Sequence, residues 1–252
     1  MLVDTHCHLD QFADAAATIQ EAADHGVDRI VAVSENPASM AAALALKRCH
    51  PDRVLAGLGL HPAWLTQATR PDIDAGLNFL QTHLAAADQV GEAGLDHKWA
   101  TTPTQQALQD EILTAQFELA AAHSKPVNLH SRRCLRQTME RAIAFRQKTG
   151  LNAQLHWFTQ SKKLIHTCNE AGIYVSVGPT VLENPQTQEI ALTIADNLLL
   201  LETDAPVPIG GSDGHPARTR QVAEKLTELK GWSLQELAER TNANFSRYLG
   251  SD

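Results

Sequence analysis

Eight alternations of a short apolar strand with a helix predict an α/β fold, a closed (β/α)8 TIM barrel. The unit returns about every 30 residues along a chain of 252, an ordinary length for such a barrel. Strict alternation implies a parallel sheet with right-handed crossovers. No Gly-Xaa-Gly-Xaa-Xaa-Gly turn and no Walker-type loop follows a predicted strand, so an open nucleotide-binding sheet has no support.

The first strand is read at Leu2, Val3 and Thr5, residues that favour extended backbone. It carries Asp4, His6 and His8 on one face, because strand side chains alternate. A helix over 14–25 stops at Gly26, and 28–34 is a short apolar strand suited to a sheet buried on both faces. An alanine-rich helix over 37–50 begins with Pro37, and the third strand covers 53–59. A helix over 73–87 leads to a short fourth strand, 89–92. The long helix over 104–123 is capped by Thr104 and ends before Lys125-Pro126. Strand five is 127–129, with a helix over 132–148 running up to Gly150. Strand six is 151–155, the next helix 162–171 and strand seven 172–177. A short helix near 186–195 precedes strand eight, 197–201, and the last barrel helix spans 216–229. The reading is one barrel domain over 1–252, with a C-terminal tail helix from about 233.

Composition narrows the function classes. Hydrophobic residues make up 43% and charged residues 20%, as in ordinary globular proteins. No apolar run approaches the roughly 18 residues of a membrane span. The first motif starts three residues after Met1, which leaves no room for a signal peptide. Cys7, Cys49, Cys134 and Cys168 are far apart and form no Cys-Xaa-Xaa-Cys pair, so reduced thiols in a cytoplasmic protein are expected. A net charge of −8 argues against broad electrostatic gripping of duplex DNA or an anionic membrane. An anionic substrate held through metal ions stays open, since bound cations dominate a local field.

In barrels of this kind the chemistry sits at the C-terminal strand ends. Those ends carry His6 and His8, then His61 beyond strand three, Glu92, His130, His156 and Asp204. Four histidines, a glutamate and an aspartate thus converge from five strand ends, with His61 beside them. Apolar strands ending in His or acidic residues are poor folding signals and good ligands for a divalent ion. The other histidines serve as a control. His25, His50 and His123 fall at helix C-termini and complement the dipole. His83 and His166 lie within helices, while His97 and His215 lie in loops that border the proposed site. Glu202 shares a strand face with Asp204, and a supporting role suits it better than a ligand role. Trp157 and Phe158 read as packing residues, Trp157 near the pocket mouth.

The set Asp4-Thr5-His6-Cys7-His8, Gly59-Leu60-His61-Pro62, Gly91-Glu92-Ala93-Gly94-Leu95-Asp96, His130-Ser131-Arg132, Leu155-His156-Trp157-Phe158 and Glu202-Thr203-Asp204-Ala205-Pro206 resembles the TatD-type metal-dependent deoxyribonucleases, amidohydrolase-like barrels. The resemblance implies two divalent ions: His6, His8, Glu92 and Asp204 around one, Glu92, His130 and His156 around the other. It also implies that His61 and Arg132 face substrate phosphate. Segment 209–216 stands where family members often carry an Arg-Asn-Glu-Pro-like stretch. His97-Lys98-Trp99 stands where a tyrosine is typical. The expected activity is a phosphodiesterase that trims DNA 3′ to 5′, preferring single strands, through water activated by zinc, manganese or magnesium, with Asp204 as the general base that orients it. The alternative keeps the barrel and changes the bond to an aminoacyl-tRNA ester, a lactone or a small amide. A DNA or other phosphoester substrate is expected, with no membrane and no obligate protein partner.

Overall fold

The structure, a computed structural model, describes residues 1–159 and 161–250. Its strands and helices alternate as β1 (Leu2–Cys7), α1 (Ala15–Asp24), β2 (Val27–Ala32), α2 (Pro37–Cys49), β3 (Val54–Leu58), α3 (Pro62–Leu65), α4 (Arg70–His83), β4 (Gln89–Asp96) and α5 (Pro103–Ala122). Then follow β5 (Val127–Arg132), α6 (Leu135–Thr149), β6 (Ala153–Leu155), α7 (Lys162–Ala171), β7 (Tyr174–Val177), α8 (Pro185–Thr193), β8 (Leu199–Leu201), α9 (Thr219–Lys230) and α10 (Leu234–Leu249). The eight strands stand in chain order and each pairs in parallel with the next.

Closure comes from the segment after β8. Cys7 bridges Ala205 in parallel, His8 N–H donates to Ala205 O (2.7 Å) and Asp204 N–H to His6 O (2.9 Å). Asp4, expected to share the face of His6 and His8, works here instead. Its carboxylate accepts the amide N–H of His6 (3.1 Å) and of Thr203 (3.1 Å), and the Thr203 hydroxyl donates to its other oxygen. Burial pushes this carboxyl up to about 7. Asp4 fastens the first strand to the last, so it is not available to an ion.

The strands are apolar because both faces are covered, by helices outside and barrel side chains inside. At the N-terminal end, α10 closes the barrel. Phe245 and Tyr248 are fully buried, and the Tyr248 hydroxyl crosses the bottom to donate to Gln89 Oε1 at the start of β4 (2.8 Å). Asn244 Nδ2 donates to the carbonyls of Asp196 and Leu199, and Asn152 Nδ2 to those of Arg247 and Tyr248. Among the described residues no helix is long and apolar enough to cross a membrane. Cys7, Cys134 and Cys168 are buried free thiols, and Cys49 is exposed and free.

Several boundaries differ from the sequence reading. Strand β4 runs on to Asp96, four residues beyond Glu92, because Gly94 permits a close approach to β5. Thr102, not Thr104, caps α5 in a reciprocal capping box with Gln105. Thr69 does the same for α4 with Asp72, which moves that helix start forward to Arg70. Arg132 ends β5 and does not open the next helix, which starts at Leu135. The one-turn helix α3, capped by the His61 ring, was not foreseen.

Candidate metal centre

Glu92 is the middle of the site, 1% exposed. Two glycines let it reach there. A Cβ at Gly59 would lie 2.6 Å from Glu92 O, and one at Gly94, where φ is +145°, would lie 2.1 Å from His130 O. Only glycine lets β3, β4 and β5 approach so closely where Glu92 and His130 emerge.

The two carboxylate oxygens of Glu92 face different partners. Oε2 lies 3.4 Å from His6 Nε2 and 3.3 Å from His8 Nε2. Asp204 Oδ1 closes that group at 3.4 Å from His6 Nε2 and 3.2 Å from His8 Nε2. Oε1 lies 2.7 Å from His130 Nδ1, 2.8 Å from His156 Nε2 and 3.3 Å from His61 Nε2. His130 Nδ1 and His156 Nε2 are themselves 3.3 Å apart. The six residues expected from the strand ends therefore meet in one place, and His61 joins them. Asp204 sits in a left-handed backbone conformation (φ 53°), an uncommon state for a residue with a side chain that is held by its neighbours.

Hydrogen bonds behind the rings sort the histidines. Asn128 donates its Nδ2 to Thr5 O (3.2 Å), so its Oδ1 must face His6 Nδ1 (3.0 Å). That nitrogen carries the proton, and His6 Nε2 presents a lone pair inward. His156 Nδ1 faces Glu202 Oε2 at 3.7 Å, with its Nε2 likewise inward. His61 is the reverse case. Its Nδ1 accepts the Ala63 amide at the start of α3 (3.0 Å), so in the neutral ring Nε2 carries the hydrogen and points it at the centre. In that tautomer His61 donates toward the centre, whereas His6 turns a lone pair to it.

Glu202 is fully buried, with a ligand atom within 4.8 Å of those of His6 and His156. It accepts the Trp157 amide through Oε1 (2.5 Å) and the Ser176 hydroxyl through Oε2 (2.7 Å). Gln154 continues the chain, donating to Ser176 Oγ (2.9 Å) and Thr5 Oγ1 (3.0 Å). Asn128 and Gln154 were missed as functional residues. Each lies two positions before a site histidine in an otherwise apolar strand, and that same-face polar partner was the available signal.

The electrostatics fit a cation. Burial alone would raise the Glu92 carboxyl, yet the His61, His156 and His6 rings around it hold it well below the usual carboxylate range. Asp204, against the same burial, is lowered by His6 and His8. Conversely, burial would lower the rings, but Asp204 and Glu92 push His8 up to about 10, and Asp96 and Glu92 push His130 up to about 9. Burial dominates at His61 and lowers it. Protons on imidazoles supply the positive charge the carboxylates require, and a metal ion would displace them. Among the described residues His6 Nε2 and Glu92 Oε2 are buried without a hydrogen-bond partner. Three groups among the described residues each bring their ligand atoms within 4.8 Å of one another: His6, His8 and Glu92; His61, Glu92 and His130; and His6, His156 and Glu202. Imidazole nitrogens and carboxylate oxygens in such a cluster are donors that suit a divalent ion.

Arg132 lies two residues beyond His130 and is exposed, and among the described residues its guanidinium has no hydrogen-bond or ion-pair partner. His215 stands apart from the centre, its Nδ1 accepting the Ala217 amide (3.1 Å) and its Nε2 3.5 Å from Glu21 on α1. His25, His50 and His123 follow the last residues of α1, α2 and α5, as expected. Phe158 is core.

Comparison with known proteins gives concordant results. The family model described as TatD related DNase matches residues 3–250. A metal-dependent hydrolase of Bacillus subtilis, YabD, is 30% identical, the match covering 98% of each chain. The human deoxyribonuclease TATDN3 is 28% identical over 96% of this chain and 92% of its own. The crystal structure of the Escherichia coli TatD homologue YjjV superposes with a TM-score of 0.86 at 28% identity, covering 98% and 97% of the two chains.

Proposed function

The chain belongs to the TatD-related DNase family, and on that premise we propose that it is a two-ion phosphodiesterase that trims single-stranded DNA from its 3′ end. The observation that carries this reading is the division of Glu92, one oxygen facing His6, His8 and Asp204, the other facing His130 and His156. His6, His8, Glu92 and Asp204 would hold one ion, and Glu92, His130 and His156 the second. Mixed imidazole and carboxylate donors suit zinc or manganese well and admit magnesium. When bound, such ions make a water acidic enough to ionise near neutral pH and neutralise charge on the phosphoryl oxygens.

The protein's own groups do the rest. Asp204 stays ionised at the rim of the centre and accepts a hydrogen bond from the attacking water, which orients it for in-line displacement. As the general base expected from the sequence, it takes that water's proton. His61 donates Nε2–H to a non-bridging phosphoryl oxygen, where negative charge develops. The exposed Arg132 guanidinium takes the adjacent phosphate. With a net charge of −8, local contacts of this kind carry most of the binding to a polyanion.

The test is hydrolysis of 5′-labelled and 3′-labelled single-stranded oligonucleotides by metal-loaded protein, beside a panel of esters, lactones and amides. Shortening from the 3′ end supports the reading, and Arg132→Ala should raise KM with ion content unchanged. Turnover of the ester or amide panel alone would reject it.

A further inference from the structure

We propose that Asp96 is a positioning residue that fixes the tautomer of His130 and thereby the second half of the centre, an inference that rests on the two-ion reading above. Asp96 ends β4, 1% exposed, four residues beyond Glu92. Its Oδ2 lies 3.2 Å from His130 Nε2. The opposite ring nitrogen, Nδ1, is the one turned to Glu92 Oε1 and His156 Nε2. A carboxylate can only accept, so Nε2 must carry a hydrogen, and in the neutral ring Nδ1 then presents a lone pair to the centre.

The carboxylate is held so that it cannot turn away. Oδ1 accepts the amide N–H of Lys98 (2.8 Å) and of Trp99 (3.2 Å), and the Asp96 amide donates to Gln109 Oε1 (3.0 Å). Gln109 is itself anchored by Nε2 donation to Pro62 O (2.9 Å). The same side chain thus ties the turn after β4 to the His130 ring. Its counterpart across the site is Glu202 behind His156, but at 3.7 Å that contact is longer and shared with Ser176 and Trp157.

Asp96→Asn separates this role from a folding role. An asparagine keeps an oxygen for the Lys98 and Trp99 amides, and its NH2 then faces His130 Nε2. A donor facing Nε2 stabilises the other tautomer, which puts a hydrogen on Nδ1 and removes the inward lone pair. Losing such an outer contact weakens metal binding about 10–100-fold.

The experiment is calorimetric titration of metal-free wild type, Asp96→Asn and Asp96→Glu with Co2+, with the visible absorption spectrum followed in parallel. Wild type should take up two ions. Asp96→Asn should keep the first at wild-type affinity, bind the second about 10–100-fold more weakly, and lose the absorption bands of the second ion. Asp96→Glu, which keeps an accepting carboxylate, should recover part of the second affinity. Two ions of wild-type affinity in Asp96→Asn, or equal weakening of both in Asp96→Asn and Asp96→Glu, would overturn the role of Asp96. Fewer than two ions in wild type would instead overturn the two-ion reading itself.

Discussion

Glu92→Gln tests how far one side chain holds the centre together. Glutamine is nearly isosteric but offers one oxygen where the carboxylate offers two. Whichever way the amide turns, its NH2 faces either the His6, His8 and Asp204 group or the His130 and His156 group, and that group loses a donor atom. The other keeps a neutral oxygen in place of a charged one. Removing an outer partner of a ligand costs about 10–100-fold in metal affinity, so altering a direct donor should cost at least about 100-fold in each half. The two halves together then lose about 10⁴ in binding, close to 6 kcal/mol at about 1.4 kcal/mol per tenfold. The assay is elemental analysis after equilibrium dialysis at graded free metal, with His156→Ala as comparison. That variant removes a neighbour of Oε1 only, and should empty one position while the other fills normally. If Glu92→Gln retained two ions at wild-type affinity, the division of the carboxylate would have no binding consequence and the bridge would be refuted.

Three further outcomes follow from the same geometry. Metal-free protein should be most stable between about pH 4.5 and 6.5. Within it, Asp4, raised from 3.8 to about 7, lowers stability steadily as pH climbs between those values, so the maximum lies toward the acid end; above it, His8 and His130, raised to about 10 and about 9, lose their stabilising protons as pH climbs through those values; below it, protonation of the depressed Glu92 and Asp204 removes their contribution. Denaturant midpoints across pH check this, and a profile flat from pH 6 to 10 would contradict it. Chelation should abolish activity yet leave a cooperative thermal transition, because the apolar core is continuous without the centre, unlike a zinc finger; loss of helical circular dichroism on chelation would speak against that. Gly94→Ala should destabilise by about 2–4 kcal/mol in urea, since its Cβ would meet His130 O at 2.1 Å in a backbone conformation few side chains adopt; an unchanged midpoint would show that β4 and β5 can separate freely.

The barrel was legible because its signal is repetitive. Apolar strand and amphipathic helix return eight times, and their order alone dictates parallel pairing. The site residues were legible for a related reason: His6, His8, Glu92, His130, His156 and Asp204 interrupt apolar strands where folding would favour none of them. What escaped the sequence depends on side-chain direction across the barrel. Asp4 belongs by alternation with His6, but Thr203 on the far side of the closure claims its carboxylate. Asn128 supports His6 from a strand more than a hundred residues away, and no local pattern names that pairing. Helix starts slipped where two cap-competent residues lay close together, as with Thr102 and Thr104, since either could accept the first-turn amides. The length of β4 depended on Gly94 touching β5, a tertiary contact.

The central claim is that two ions share Glu92, and anomalous diffraction from crystals grown with Mn2+ measures it directly. Two peaks about 3.5–4 Å apart on either side of the Glu92 carboxylate, one near His6, His8 and Asp204 and the other near His130 and His156, are the expected result. A single peak at saturating Mn2+, or two peaks with Glu92 beside only one of them, would contradict it.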